Sequence, residues 1–237
     1  MITKFLSLKK FLFLLSFIGF LSGCSSVREI GTPNAADFSY LALGDSYTIG
    51  ESVPVAQRWP VQLTEMLRAR DYKMAAPKTI ARTGWTTRNL LDAMETELRV
   101  QQDFDLVSIL IGVNNQYQNK SISEFETELN ELFRKAINHS RTREKGFFAL
   151  SIPDYGATPF GEENMETIGR EIDEFNAVFR KVAEAHNVAF FNITPISRDA
   201  KNNPALTAAD KLHPSGLMYQ YWVDLIIDDV AKQLPEK

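Results

Sequence analysis

Apolar positions along this chain follow two patterns. Short continuous apolar runs stop at Gly or Pro, and between them lie longer stretches with apolar residues three and four apart. The first pattern fits strands buried on both faces, the second amphipathic helices. The runs predict strands at residues 38–43, 78–82, 105–111, 146–152 and 188–193. The helical spacing predicts helices at 59–70, 86–100, about 123–137, 165–186 and 215–234. In the fourth of these, Ile168, Ile172, Phe175, Val178, Phe179 and Val182 share one face. Pro60 suits a first helical turn, Thr86 or Thr87 an N-cap, and Ser123 with Glu126 a capping box. Strands that alternate with helices predict an α/β fold: a five-stranded parallel sheet, helices on both faces, right-handed crossovers. No repeat and no interdomain linker interrupts residues 38–237, which read as one domain. In such a sheet, ligands bind beyond the carboxyl ends of the strands. Chemistry is therefore expected in the residues just after each strand.

The N-terminus does not fit this pattern. Residues 1–10 carry Lys4, Lys9 and Lys10 and no acid, and residues 11–21 are an apolar run broken only by Ser16 and Gly19. That run is short for a membrane span and has the form of a signal-peptide core. It ends in Leu21-Ser22-Gly23-Cys24, which resembles the bacterial lipoprotein cleavage box. The resemblance implies a signal peptide over residues 1–23 and lipid on Cys24, the chain's single cysteine. Residues 24–37, with Gly31, Pro33 and Asn34, read as a tether. A membrane partner through the lipid, a cell-envelope location and, from Ser25 after the Cys, the outer membrane are implied with it.

Composition narrows the classes. Hydrophobic residues make up 44% and charged residues 24% of 237, with a net charge of −4. These values exclude a disordered chain and argue against a nucleic-acid partner. With one Cys there is no disulfide and no cysteine-ligated metal, and no paired-His spacing suggests zinc. His139 and His186 have no motif around them and are expected at solvated helix ends.

Four strand ends and loops carry candidate chemistry. They are Gly44-Asp45-Ser46-Tyr47, Thr83-Gly84-Trp85, Gly112-Val113-Asn114-Asn115 and Asp210-Lys211-Leu212-His213-Pro214. Each alone has a plain structural reading, as an Asx turn, a tolerated backbone angle or a helix cap. Asp210 and His213, three apart, can share one side of a helical turn.

In this order the four blocks resemble the SGNH (GDSL) hydrolase family over about residues 40–216. The resemblance implies a three-layer flavodoxin-like fold and serine ester hydrolysis through an acyl-enzyme, with no cofactor. It implies Ser46 as nucleophile, His213 as general base and Asp210 as its orienting partner. The backbone N–H groups of Ser46 and Gly84 and the side-chain amide of Asn114 would form the oxyanion hole. The residue types suit these roles. A serine hydroxyl needs a neighbouring base, imidazole supplies one near neutral pH, and a carboxylate fixes its tautomer. The family's third block is usually Gly-x-Asn-Asp; here Asn115 replaces the Asp, which bears on the loop's supporting hydrogen bonds more than on the chemistry.

Tyr47 follows Ser46 and Trp85 follows Gly84, and both are candidate walls of a substrate pocket. The loop 153–164, with Asp154, Tyr155 and Phe160, is expected to border it. No long amphipathic insertion resembles a lipase lid, so a small ester, lysophospholipid, thioester or acetylated sugar is expected as substrate rather than triglyceride. Two other classes share the same features. One is an acyltransferase using the same triad, the other a non-catalytic lipoprotein that binds a glycan.

Overall fold

The computed structural model describes residues 36–235. The expected signal segment, Cys24 and most of the expected tether lie outside the described residues. β1 (Tyr40–Gly44), β2 (Lys78–Ala81), β3 (Leu106–Leu110), β4 (Phe147–Leu150) and β5 (Ala189–Phe191) form one parallel sheet in the order β2-β1-β3-β4-β5. Chain order reverses across β1, so a crevice opens beyond the ends of β1 and β3.

The helices are α1 (Ser46–Ile49), α2 (Trp59–Arg68), α3 (Thr87–Glu97), α4 (Val113–Tyr117), α5 (Ile122–His139), α6 (Met165–Ala185), α7 (Thr194–Arg198) and α8 (Gly216–Ala231). Two adjacent phenylalanines on β4 define the layers. Phe148 meets Trp59 of α2 edge to face at 6.5 Å, and Phe147 meets Phe133 of α5 at 5.0 Å. Successive strand residues point to opposite faces, so α2 and α5 cover opposite sides of the sheet. α8 packs beside α2, and α3 and α6 pack beside α5. This is the three-layer arrangement expected from the sequence.

The hydrophobic pattern explains the burial. Every residue of β1 and β3 is buried, as central parallel strands require. On α6, Ile168, Ile172, Phe175, Phe179 and Val182 turn inward. Phe179 touches the rings of Phe125, Phe133 and Phe190, joining α5, α6 and β5. Truncating so central an aromatic to alanine typically costs about 3–5 kcal/mol.

Several boundaries differ from the sequence reading. β1 begins at Tyr40 because the Asp105 carboxylate takes the N–H and hydroxyl of Ser39, each at 2.8 Å, leaving Phe38 only a bridge to Met74. α5 starts earlier than expected: Ser121, not Ser123, is its N-cap, accepting the Glu124 N–H at 3.1 Å. Ile122, packed partly buried against the core, thus opens the helix instead of preceding it. The three shortest helices, α1, α4 and α7, were not expected at all. His186 is half-buried rather than solvated: it packs on Phe133 at 5.5 Å and bonds Asn130 at 3.0 Å. Burial and then Arg134 push its imidazole below the usual range. Among the described residues, no helix is long and apolar enough to cross a membrane and no cluster of His, Cys, Asp or Glu could hold a metal ion.

Candidate active site

Ser46 stands at the first position of α1, directly after β1. The turn is fixed by Asp45, whose Oδ1 accepts the Tyr47 N–H at 3.0 Å and caps the short helix. Asp45 is fully buried and its Oδ2 finds no partner among the described residues. Burial raises its carboxyl to about 7, against the opposing effect of the Tyr47 N–H. Ser46 itself is nearly covered, at 5% exposure.

The last block approaches from the loop before α8. Asp210 Oδ2 accepts from His213 Nδ1 at 2.6 Å. Its Oδ1 accepts the backbone N–H of His213 at 2.9 Å and of Leu212 at 3.0 Å. The Ser52 hydroxyl donates to Oδ2 at 2.5 Å. Burial alone would raise the Asp210 carboxyl, but the donors from Ser52, Leu212 and His213 together outweigh it and hold the group well below the usual carboxylate range. The geometry differs from the expected helical turn. Lys211 sits at φ 66°, so the segment is a tight left-handed bend that folds the carboxylate back onto the ring. With Nδ1–H engaged by the carboxylate, Nε2 is left as the basic nitrogen. The edge of Tyr47 supports the imidazole, with ring centroids 5.5 Å apart.

The second and third blocks close the other side. Gly84 has φ 83°, a conformation that glycine adopts freely, and a Cβ there would meet nothing within 4 Å. Its requirement is therefore conformational. Gly112 has φ 122°, and a Cβ would lie 2.8 Å from both Phe125 and Ile152. From this residue α4 starts and carries Asn114 and Asn115. Asn114 Nδ2 donates to the Trp85 carbonyl at 3.0 Å, and Gln118 to the Gly84 carbonyl at 3.2 Å, stitching the two loops together. No protein acceptor takes the backbone N–H of Ser46 or Gly84 among the described residues.

Ser46, Tyr47, Gly84, Asn114 and His213 line one cavity of about 170 Å³. Asp210 stands behind the His213 ring rather than on the cavity wall, and of the sequence-predicted site residues Trp85 alone falls outside this group. Trp85 packs half-buried against the core and enters only through its carbonyl. The wall is instead a triangle of Tyr117, Tyr155 and Phe160, with ring centroids 6.1, 6.3 and 6.4 Å apart. Two residues here escaped the sequence reading. Tyr117 lies three positions after Asn114, on the same side of α4, a spacing that becomes informative once α4 is known to be helical. Ser52 reaches Asp210 across 158 positions, and nothing local signals that contact.

Such an arrangement, at the switch point of a parallel α/β sheet, fits acyl transfer to and from a hydroxyl. A family model described as GDSL-like lipase/acylhydrolase matches residues 42–221. The protein is an ester-hydrolysing enzyme. It belongs to the GDSL-like lipase/acylhydrolase family. Its fold is similar to that of the psychrotrophic esterase EstA from Pseudoalteromonas sp., with TM-score 0.63 and 20% identity over 83% of this chain and 98% of that one. It is also similar to the acetyl xylan esterase AlAXEase, with TM-score 0.65 and 18% identity over 81% of this chain and 100% of that one. A third similar structure is Axe2, an acetylxylan esterase from Geobacillus stearothermophilus, with TM-score 0.63 and 20% identity over 85% and 98% of the two chains. No curated relative matches the sequence.

Proposed function

We propose that the enzyme hydrolyses short acyl esters through a Ser46–His213–Asp210 triad. The observation that carries the reading is the 2.6 Å contact of Asp210 Oδ2 with His213 Nδ1 at the edge of a cavity that Ser46 also lines. His213 Nε2 takes the Ser46 hydroxyl proton as Oγ attacks the ester carbonyl. The oxygen that becomes negative is held by the N–H groups of Ser46 and Gly84 and by Asn114 Nδ2. Such donors are strong because they need no reorganisation as charge develops. His213 returns the proton to the leaving alcohol, and an acyl-Ser46 remains. Water then attacks the acyl carbon, giving its proton to His213, and the acid leaves as Oγ is reprotonated. Asp210 stays ionised throughout and stabilises the imidazolium.

Cavity size supports a small acyl group. An apolar cavity of roughly 150 Å³ holds a benzene-sized guest, and this one is about 170 Å³. That space suits a short acyl chain, with a small-molecule or carbohydrate alcohol reaching outward past Tyr117 and Phe160. The names of the similar esterases agree with such substrates.

The basic stretch, the apolar run and Leu21-Ser22-Gly23-Cys24 support a lipid on Cys24 and attachment to the bacterial envelope, in the outer membrane by the reading of Ser25. The triad is tested with short p-nitrophenyl esters. Ser46→Ala and His213→Ala should each abolish nearly all turnover while circular dichroism stays native. Turnover by Ser46→Ala near the wild-type rate would contradict the mechanism.

A further inference from the structure

Ser52 is an exposed residue in the loop that leaves α1, and it holds a backbone conformation that its side chain disfavours. Its φ is 63°, in the left-handed region, two residues after Gly50 at φ 68°. A non-glycine residue there is strained, because its Cβ crowds the following carbonyl oxygen. Such strain persists where the surroundings over-determine it, and it is commoner at functional sites than elsewhere. The loop is pinned on both sides. The Glu51 N–H donates to the Ser46 carbonyl at 3.0 Å, and the Glu51 carboxylate accepts from Thr83, another cavity residue. Between these anchors the Ser52 hydroxyl points at Asp210 Oδ2, 2.5 Å away. That oxygen is the one that receives His213 Nδ1–H.

We propose that Ser52 is a positioning residue for the catalytic triad, its hydroxyl holding the Asp210 carboxylate toward His213 and setting how strongly that carboxylate supports the imidazole. The inference rests on the triad reading. Oδ1 is fixed by two backbone N–H groups of its own turn, but among the described residues Oδ2 has only two donors, His213 and Ser52. Each hydrogen bond to Oδ2 draws on the same electron density. When the Ser52 donor is removed, the full charge of Oδ2 faces the imidazole and favours the imidazolium. His213 then stays protonated to higher pH, so the acid limb of kcat/KM moves upward. The carboxylate also loses a restraint, and kcat falls modestly because Oδ1 still anchors it.

Other ionisable groups face this turn. Tyr47 lies against the His213 ring, Tyr219, Asp45 and Arg58 approach from the buried side, and Tyr155 and Asp154 line the cleft beside His213. Lys211 is in the same bend, and Glu51 is next to Ser52. Asp45 titrates at about 7, so its ionisation overlaps the expected range and must be removed in a control.

The test uses Ser52→Ala and Ser52→Gly, with pH profiles of kcat/KM for p-nitrophenyl acetate, also in an Asp45→Asn background. Both variants lose the hydroxyl, but glycine also releases the left-handed strain, so Ser52→Gly should melt no lower than wild type. The expected result is an upward shift of the acid limb by about half a unit to one unit in both variants and both backgrounds. A threefold to tenfold loss of kcat should accompany it. An unmoved limb in both variants, or a shift in Ser52→Ala alone, overturns the proposal. Failure of the triad itself would appear separately, as activity retained in Ser46→Ala or His213→Ala.

Discussion

Adjacent asparagines at the start of α4 should have opposite effects when each is replaced by alanine. Asn114 faces the cavity, whereas Asn115 is fully buried and bonds only inward. Asn115 Oδ1 accepts the Thr87 N–H at 3.0 Å, and its Nδ2 donates to Thr87 Oγ1 at 2.7 Å. Thr87 begins α3 and in turn donates to the buried Glu128, which Arg88 pairs at 2.9 Å. Asn115→Ala therefore strands a buried helix-terminal N–H. An unsatisfied buried donor costs about 1–3 kcal/mol and a lost hydrogen bond about 1 more, so the total should be roughly 2–4 kcal/mol. For a domain of this size that lowers Tm by about 4–16 °C. Asn114→Ala removes an exposed-side bond to Trp85 and a donor used in the transition state. It should lower kcat by about 10²–10³ with KM little changed and a small effect on Tm. Asn115→Asp restores the usual family residue but adds a second carboxylate beside Glu128. It should be destabilising at neutral pH and recover as pH falls. The assays are kcat and KM on p-nitrophenyl acetate and thermal unfolding by calorimetry. A larger kcat loss at Asn115 than at Asn114, with Tm unmoved at Asn115, would refute the division of roles.

Asp210→Asn keeps the turn's shape but weakens support for His213, and it should lower kcat by about 10²–10⁴; combined with His213→Ala it should add almost nothing, as steady-state rates of the double variant will show. Asp45 is held at about 7, above its ordinary 3.8, so the stability it contributes is full below about pH 4 and is lost as pH rises through 7. Asp45→Asn should therefore gain on the order of 2–4 kcal/mol over wild type at pH 8 and little at pH 4 in urea titrations. Cys24→Ala should leave protein without lipid, and intact-mass analysis showing an unmodified N-terminus upstream of Cys24 in the membrane-extracted wild type would contradict the anchor.

Much of this architecture was legible because a parallel α/β sheet ties sequence to place. Its strands are continuous apolar runs, and its loops at one end converge, so motifs after β1, β2, β3 and before α8 meet without any long-range information. Long helices such as α6 were also legible, since five inward residues repeat over its length. What failed depended on few residues or distant ones. α1, α4 and α7 span five residues or fewer, too short for a period. The cap of α5 was placed two residues late, on Ser123, because Ser121 and Ser123 each precede a Glu by three. Trp85 follows a site glycine in sequence, yet the turn at Gly84 sends its ring to the core, while Tyr117 reaches the cavity from a helix that had no signature. The Ser52–Asp210 contact links the first loop to the last and is invisible to any local pattern.

Every step proposed for this enzyme passes through a covalent bond at Ser46, and a fluorophosphonate probe reports on that residue. Peptide mapping by mass spectrometry should find one stoichiometric adduct, on Ser46, with parallel loss of esterase activity and no labelling of Ser46→Ala. An adduct on another residue, or complete labelling that leaves activity intact, would remove Ser46 from the mechanism.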